Sequence, residues 1–203
     1  MKIIQNIVVV STYFILLACV PTQQQIKTAY VQLPPERSYH RGFSLIPLNE
    51  DGWIINQKDY NWLILGRYGS SQEETYVIST DIWGPPTVNS QSEFFETIKE
   101  NQTRNLDTTR YTRIDFDVKP YPKKGEYCAR IYIKTEDNAA VTHGGVVDHM
   151  ILEMLALSCR HPKNTNMAID VTYSHRHFPE KSDPLFSKKA EVLFDSVEFT
   201  DLK

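Results

Sequence analysis

The chain has 203 residues, 41% of them hydrophobic and 23% charged, with 22 Lys and Arg against 25 Asp and Glu for a formal net charge of −3. That length suits one domain with a substantial core, and the mildly acidic balance offers no basic excess with which to hold nucleic acid. No GxSxG elbow, GxxxxGK[ST] loop or GxGxxG turn occurs, so nothing advertises nucleophilic catalysis or nucleotide binding.

At the amino terminus Lys2 precedes an apolar run from Ile7 to Leu17, followed by Ala18 and Cys19. A charged start, about ten apolar residues and a small residue at the break read as a secretory signal peptide. Leu16-Leu17-Ala18-Cys19 resembles the lipobox of bacterial lipoproteins. The resemblance implies that residues 1–18 are removed and that Cys19 is acylated and becomes the first mature residue, held at the membrane by two or three acyl chains. Val20 follows where an Asp would retain such a protein at the inner membrane of enteric-type bacteria, which implies the outer membrane, facing the periplasm. An ordinary signal peptide with a chance cysteine and an uncleaved anchor are the alternatives. The run is short for a span, which needs roughly 20 apolar residues. Removing residues 1–18 takes away Lys2 alone among the charged side chains, so the mature chain stays mildly acidic.

Residues 19–28 comprise the lipid site and a tether, with VPTQQQ at 20–25, and residues 29–203 form a single domain. Ala29 to Leu33 is β-permissive and stops at Pro34-Pro35. Phe43 to Ile46, Trp53 to Ile55 and Trp62 to Leu65 are short apolar runs separated by Asn, Asp and Gly, as strands and turns are. Thr75 to Trp83 alternates, with Tyr76, Ile78 and Thr80 on one face, and ends at Gly84-Pro85-Pro86. Ser90 to Asn101 changes period: Ser92 is the candidate cap, Glu93 and Glu96 stand in the first turns, and Phe94, Phe95 and Ile98 share a face, which predicts a helix.

Arg110 to Val118 returns to period two, with Tyr111, Arg113, Asp115 and Asp117 opposite Thr112, Ile114, Phe116 and Val118. Glu126 to Lys134 sets Cys128, Arg130 and Tyr132 against Tyr127, Ala129, Ile131 and Ile133. Met150 to Ser158 has helical propensity, but its length and neighbours favour a strand. Ala168 to Ser174 is a strand. Asp183 to Asp195 predicts a helix capped by Asp183, with Pro184 first and Leu185, Ala190, Leu193 and Phe194 facing the core. Val197 to Phe199 is a last short strand.

With Cys19 spent on lipid, Cys128 and Cys159 remain, and export to an oxidising compartment predicts one bridge between them. A strand at 150–158 beside the strand at 126–134 would bring their α-carbons within about 5–6 Å. A catalytic or metal-binding pair is the alternative, without CxxC spacing to support it.

The element order predicts an α+β domain: a mostly antiparallel sheet, two main helices packed on it, and one disulfide. Gly52-Trp53, the run Glu74 to Trp83, and a closing helix running into Asp195-Ser196-Val197-Glu198-Phe199 resemble the PsbP-like fold across about half of the chain. Proteins of that fold are mostly non-catalytic binding or assembly modules, and the resemblance implies such a role without assigning a site.

Six histidines are the remaining candidates for chemistry. His175 and His177, two apart on a strand, face the same way. Gathered in space with His143 and His149 they would offer imidazoles to a metal, although no compact ligand motif joins them and solvated loop histidines are the plainer alternative. Arg160-His161 and His175-Arg176-His177 bracket the strand 168–174 and together would make an anion site, offset by Asp170, Glu180 and Asp183. Three tryptophans and eleven tyrosines read as core packing or as the lining of a ligand groove. The leading expectation is therefore a lipid-anchored, non-catalytic envelope protein that binds another envelope protein and needs no cofactor. A periplasmic metal-binding protein or hydrolase using the histidines, and a carrier for a small apolar ligand, are the alternatives.

Overall fold

The computed structural model describes residues 28–142, 144–145 and 147–202. Cys19, the signal segment and most of the tether lie outside the described residues, as does His143. The elements run β1 (Ser38–His40), β2 (Phe43–Leu45), β3 (Ile54–Lys58), β4 (Leu63–Tyr68), β5 (Thr75–Trp83), α1 (Gln91–Arg104), β6 (Tyr111–Pro120), β7 (Cys128–Val141), β8 (Val147–His161), β9 (Asn164–His177), α2 (Phe186–Asp195) and β10 (Glu198–Phe199).

Two antiparallel meanders, β3–β5 and β6–β9, join edge to edge where β5 pairs with β9, giving one sheet in the order β3-β4-β5-β9-β8-β7-β6. Every pairing in it is antiparallel. A second, three-stranded sheet, β1-β2-β10, closes one end. The α+β expectation is met in outline, with β-structure dominant and two helices. None of the helices among the described residues is long and apolar enough to cross a membrane.

The central strands are long enough for strict alternation to sort side chains onto two faces. Tyr173, Val171, Ile169 and Met167 of β9 join Leu155 and Leu157 of β8 beneath α2, which adds Phe186, Ala190, Leu193 and Phe194. On the other face Ala168, Ala156, Ala129, Ile131 and Ile133 receive Phe94, Phe95 and Ile98 of α1. Residues 150–158 are strand despite their helical propensity, because β8 is hydrogen-bonded to β7 on one side and β9 on the other. Pairing and two-sided burial outweigh a propensity difference of a few tenths of a kcal/mol per residue. Cys128 and Cys159 are direct cross-strand partners and are bonded, with α-carbons 4.1 Å apart.

Both helix starts differ from expectation. Ser90, two residues before Ser92, caps α1: its hydroxyl accepts from the Glu93 amide at 3.2 Å, while the Glu93 carboxylate accepts from the Asn89 amide. Helix α2 begins at Phe186, and Leu185, expected in the core, is exposed. Asp183 still closes the turn into it, accepting from the Leu185 amide at 2.8 Å and, through its carbonyl, from Phe186. In β6 a bulge between Arg113 and Asp115 breaks the expected alternation. Arg113 and Phe116 thereby share a face, the guanidinium lying 4.7 Å from the ring centroid.

Candidate functional site

Cross-strand register makes rows of side chains that run across the sheet. On the α2 face one row is Tyr76–His175–Glu153–Lys134. On the α1 face, one residue away on each strand, another reads Tyr68–Thr75–Arg176–Leu152–Thr135–Arg113 across six strands. His175 and Arg176 are adjacent in sequence, yet one belongs to a sealed cluster and the other to an open groove.

In the sealed cluster His175 is fully buried and stacks on Tyr76 (centroids 4.1 Å apart, 3° between planes) and on His177 (4.4 Å). Its Nε2 lies 2.9 Å from Glu74 Oε1. Burial pushes the imidazole down from its ordinary pKa, against the upward pull of Glu74, so the ring is neutral at neutral pH and Nε2–H donates to the carboxylate. Nδ1 is left without a partner. Burial pushes Glu74 up, but donation from the Ser70 hydroxyl and amide, His175 and Tyr76 outweighs it and holds the carboxyl at about 2. Gly69 permits this fold-back, since a Cβ there would stand 2.2 Å from Glu74 Cδ.

Around this pair, Lys189 of α2 bridges Asp183 (2.9 Å) and Glu50 (3.1 Å), and Arg67 pairs with Glu50 while lying over Tyr76 at 4.6 Å. The network fastens the first turn of α2 to β4 and β5. A buried imidazole–carboxylate pair has the composition of a general base, but here the ring that would move the proton is sealed beneath the Tyr76 and His177 rings.

The α1 face is different because α1 covers only part of it. Beyond the helix lies a groove of about 320 Å³, floored by Ile54, Gly66, Val77, Ser174 and Leu152 and rimmed by Tyr68, Arg176, Arg110 and Tyr111. Tyr111 and Leu152 also line a second cavity of about 260 Å³, which continues under the α1–β6 turn past Arg113, Thr135 and Met154. Arg110 is held as a bidentate partner of the fully buried Asp137, at 2.7 and 2.6 Å. Arg176 and Arg113 have no carboxylate partner among the described residues, and the Nε of each is buried without a hydrogen bond.

The nominated residues scatter. His175 and His177 do face the same way, as strand period requires. His149 is exposed at the start of β8, its Nδ1 3.5 Å from Glu136. Among the described residues no group of three or more His, Cys, Asp or Glu is arranged to hold a metal. Arg160 and His161 sit at the β8–β9 turn, whereas residues 175–177 end the same hairpin far away. Arg160 pairs with Ala168, so eight residues of strand, roughly 26 Å, separate its level from that of Arg176. Arg160 is stacked over Tyr127 at 3.5 Å, and His161 Nε2 meets the Thr200 carbonyl at 3.1 Å. The anion site drawn from both segments therefore does not assemble, although Arg176 itself lines a groove. Tyr68, Arg110, Tyr111 and Arg113 were not nominated. Their signal was faint: strand residues polar on a face that should have been apolar, in a register that only pairing reveals.

No family model and no curated protein matches the sequence. Among solved structures the chain is similar to the Ran-binding protein Mog1p of Saccharomyces cerevisiae, with 9% identity and a TM-score of 0.43 over 79% of this chain and 91% of that one.

Proposed function

We propose that this chain is a non-catalytic binding module of a bacterial envelope, anchored by lipid on Cys19 and acting as an assembly or accessory factor for another envelope component. Its working surface is the uncovered part of the α1 face. The observation that carries this reading is the six-strand row Tyr68–Thr75–Arg176–Leu152–Thr135–Arg113, which sets Arg176 and Arg113, whose Nε atoms have no hydrogen-bond partner among the described residues, beside a groove floored in part by Ile54, Val77 and Leu152. Concave sites with a mostly apolar lining and a few polar groups are where ligands bind. His175 and His177, by contrast, are buried within the fold. The resemblance of Leu16-Leu17-Ala18-Cys19 to a lipobox supports attachment at a membrane, and Val20 after it supports the outer membrane, facing the periplasm. The PsbP-like resemblance of the closing segment agrees with a binding role.

Two experiments test the proposal. Cys19→Ala shifts the protein to the soluble fraction or stalls its processing; membrane association with normal processing would sink the anchor. For the surface, a photoreactive benzoyl-phenylalanine is placed at Tyr68, on the groove rim, or at Tyr39, exposed on the small sheet. Irradiation of cells gives an adduct at position 68 and none at 39. Equal adducts, or none at 68, would overturn the groove as the working surface.

A further inference from the structure

The groove also carries a charge pattern that specifies what it takes, an inference that rests on the binding-module reading. Arg176 stands on the groove rim, paired across the sheet with Thr75 on one side and Leu152 on the other. The fully buried Asp137 of the same face is already committed to two hydrogen bonds from Arg110. Arg176 is left with no carboxylate partner among the described residues and a buried Nε lacking an acceptor there, beside the apolar side chains of Ile54, Val77 and Leu152. A guanidinium in that state is completed by a planar anion that accepts two parallel N–H bonds. One uncommitted charge matches a monoanion better than a phosphate monoester, which carries about −1.5 to −2.

We infer that the groove binds a small amphipathic carboxylate, its head on Arg176 and its flat or chain-like apolar body on Val77, Ile54 and Leu152 beneath the Tyr68 ring. The size favours a small molecule over a protein segment: about 320 Å³ lies at the lower end of ligand cavities, which run from about 300 to 1,000 Å³. Tyr111, which lines both cavities, stands where an extended chain would have to continue.

The test uses the full lipidated chain in lipid nanodiscs, with empty nanodiscs as the blank. Binding of 4-(trifluoromethyl)benzoate and of its neutral counterpart 4-(trifluoromethyl)benzamide is followed by fluorine NMR line broadening. The benzoate binds at least about tenfold tighter than the amide, as a charge-assisted pair requires. Arg176→Gln removes that preference, Arg176→Lys restores part of it, and Arg113→Gln, in the neighbouring cavity, leaves it intact. Equal binding of the two probes, an unchanged preference in Arg176→Gln, or no binding of either would overturn the inference. If the Tyr68 photoadduct still forms but is a protein, the binding-module reading survives and the small carboxylate does not; if no adduct forms either, both fall.

Discussion

The two faces of the sheet use the same strands to opposite ends. Under α2, Tyr173, His175 and Tyr76 are stacked ring on ring; Glu74 and Asp183 answer Tyr76 Oη and His175 Nε2, while Tyr173 Oη and His175 Nδ1 stay buried without a partner among the described residues. On the α1 face, Ser174 and Arg176 of the same strand are half-buried, and the guanidinium is answered by nothing described. A polar atom left unpaired under cover costs about 1–3 kcal/mol, and no solvent reaches it to supply the missing bond. Where cover is incomplete, water or a ligand can do so. Stability should therefore be concentrated on the α2 side and binding on the other.

The largest effect should come from the covered face. Tyr173→Ala removes a fully buried ring stacked on Phe186 at 5.1 Å and is expected to cost roughly 3–5 kcal/mol, read as a lower urea midpoint. Ser174→Ala, its neighbour on the groove side, should change stability by no more than about 0.5 kcal/mol. Similar losses from both would erase the distinction between the faces.

Next in size is the bridge between β7 and β8. Cys128→Ser opens a loop of 31 residues, worth roughly 3–4 kcal/mol in the chain-entropy description. The variant should melt earlier and leave Cys159 reactive toward a thiol label once unfolded, and reductant should change wild type but not the variant.

Acidity separates Asp170 from Glu74 and His175 by sign. Glu74 is held at about 2 against its ordinary 4.5, so the stability it contributes is complete above 4.5 and is lost as pH falls from there toward 2. His175, held below its ordinary 6.5, acts in the same direction: the unfolded chain takes up the proton first, and stability declines as pH drops below 6.5. Asp170, whose carboxylate accepts from the Trp83 indole at 3.0 Å on the α1 face, does the reverse. Burial pushes it up to about 6 from 3.8, so its contribution is complete below 3.8 and fades as pH rises through 6. Denaturation followed from pH 3 to 8 should show Glu74→Gln flattening the acid limb. Asp170→Asn should instead raise stability at pH 7, by about 1–2 kcal/mol, relative to pH 4. A gain of equal size at both pH values would mean that Asp170 is not held protonated.

The smallest stability effect belongs to the residue with the largest proposed role in binding. Arg176→Gln should move the unfolding midpoint by no more than about 0.5 kcal/mol in either direction. A loss of several kcal/mol would make Arg176 a structural residue and blur the contrast between the faces.

Much of this arrangement is legible in the residues. The period-two run of 75–83 marks Tyr76, Ile78 and Thr80 as inward, and they are buried. Phe94, Phe95 and Ile98 mark the apolar face of α1 within its first eight residues. Other features are not local. The bulge in β6 puts Arg113 beside Phe116, which strict alternation forbids, and no residue of that stretch signals it, since bulges are set by the partner strand. Helical propensity at 150–158 is overridden only because β8 sits between two partners.

Local chemistry along the chain sets the covalent and periodic facts: Cys128 and Cys159 able to pair, strands whose apolar residues recur every second position, and helices whose apolar residues recur every third or fourth. Those follow from the chain's own chemistry and from fixed residue periods. Long-range packing sets which strand lies beside which, puts Arg160-His161 and His175-Arg176-His177 at opposite ends of one hairpin, and leaves Arg176 in a groove that no residue of α1 lines. Register is a relation between segments distant in sequence, selected by total burial, and a slip of one residue would exchange the sealed face for the open one.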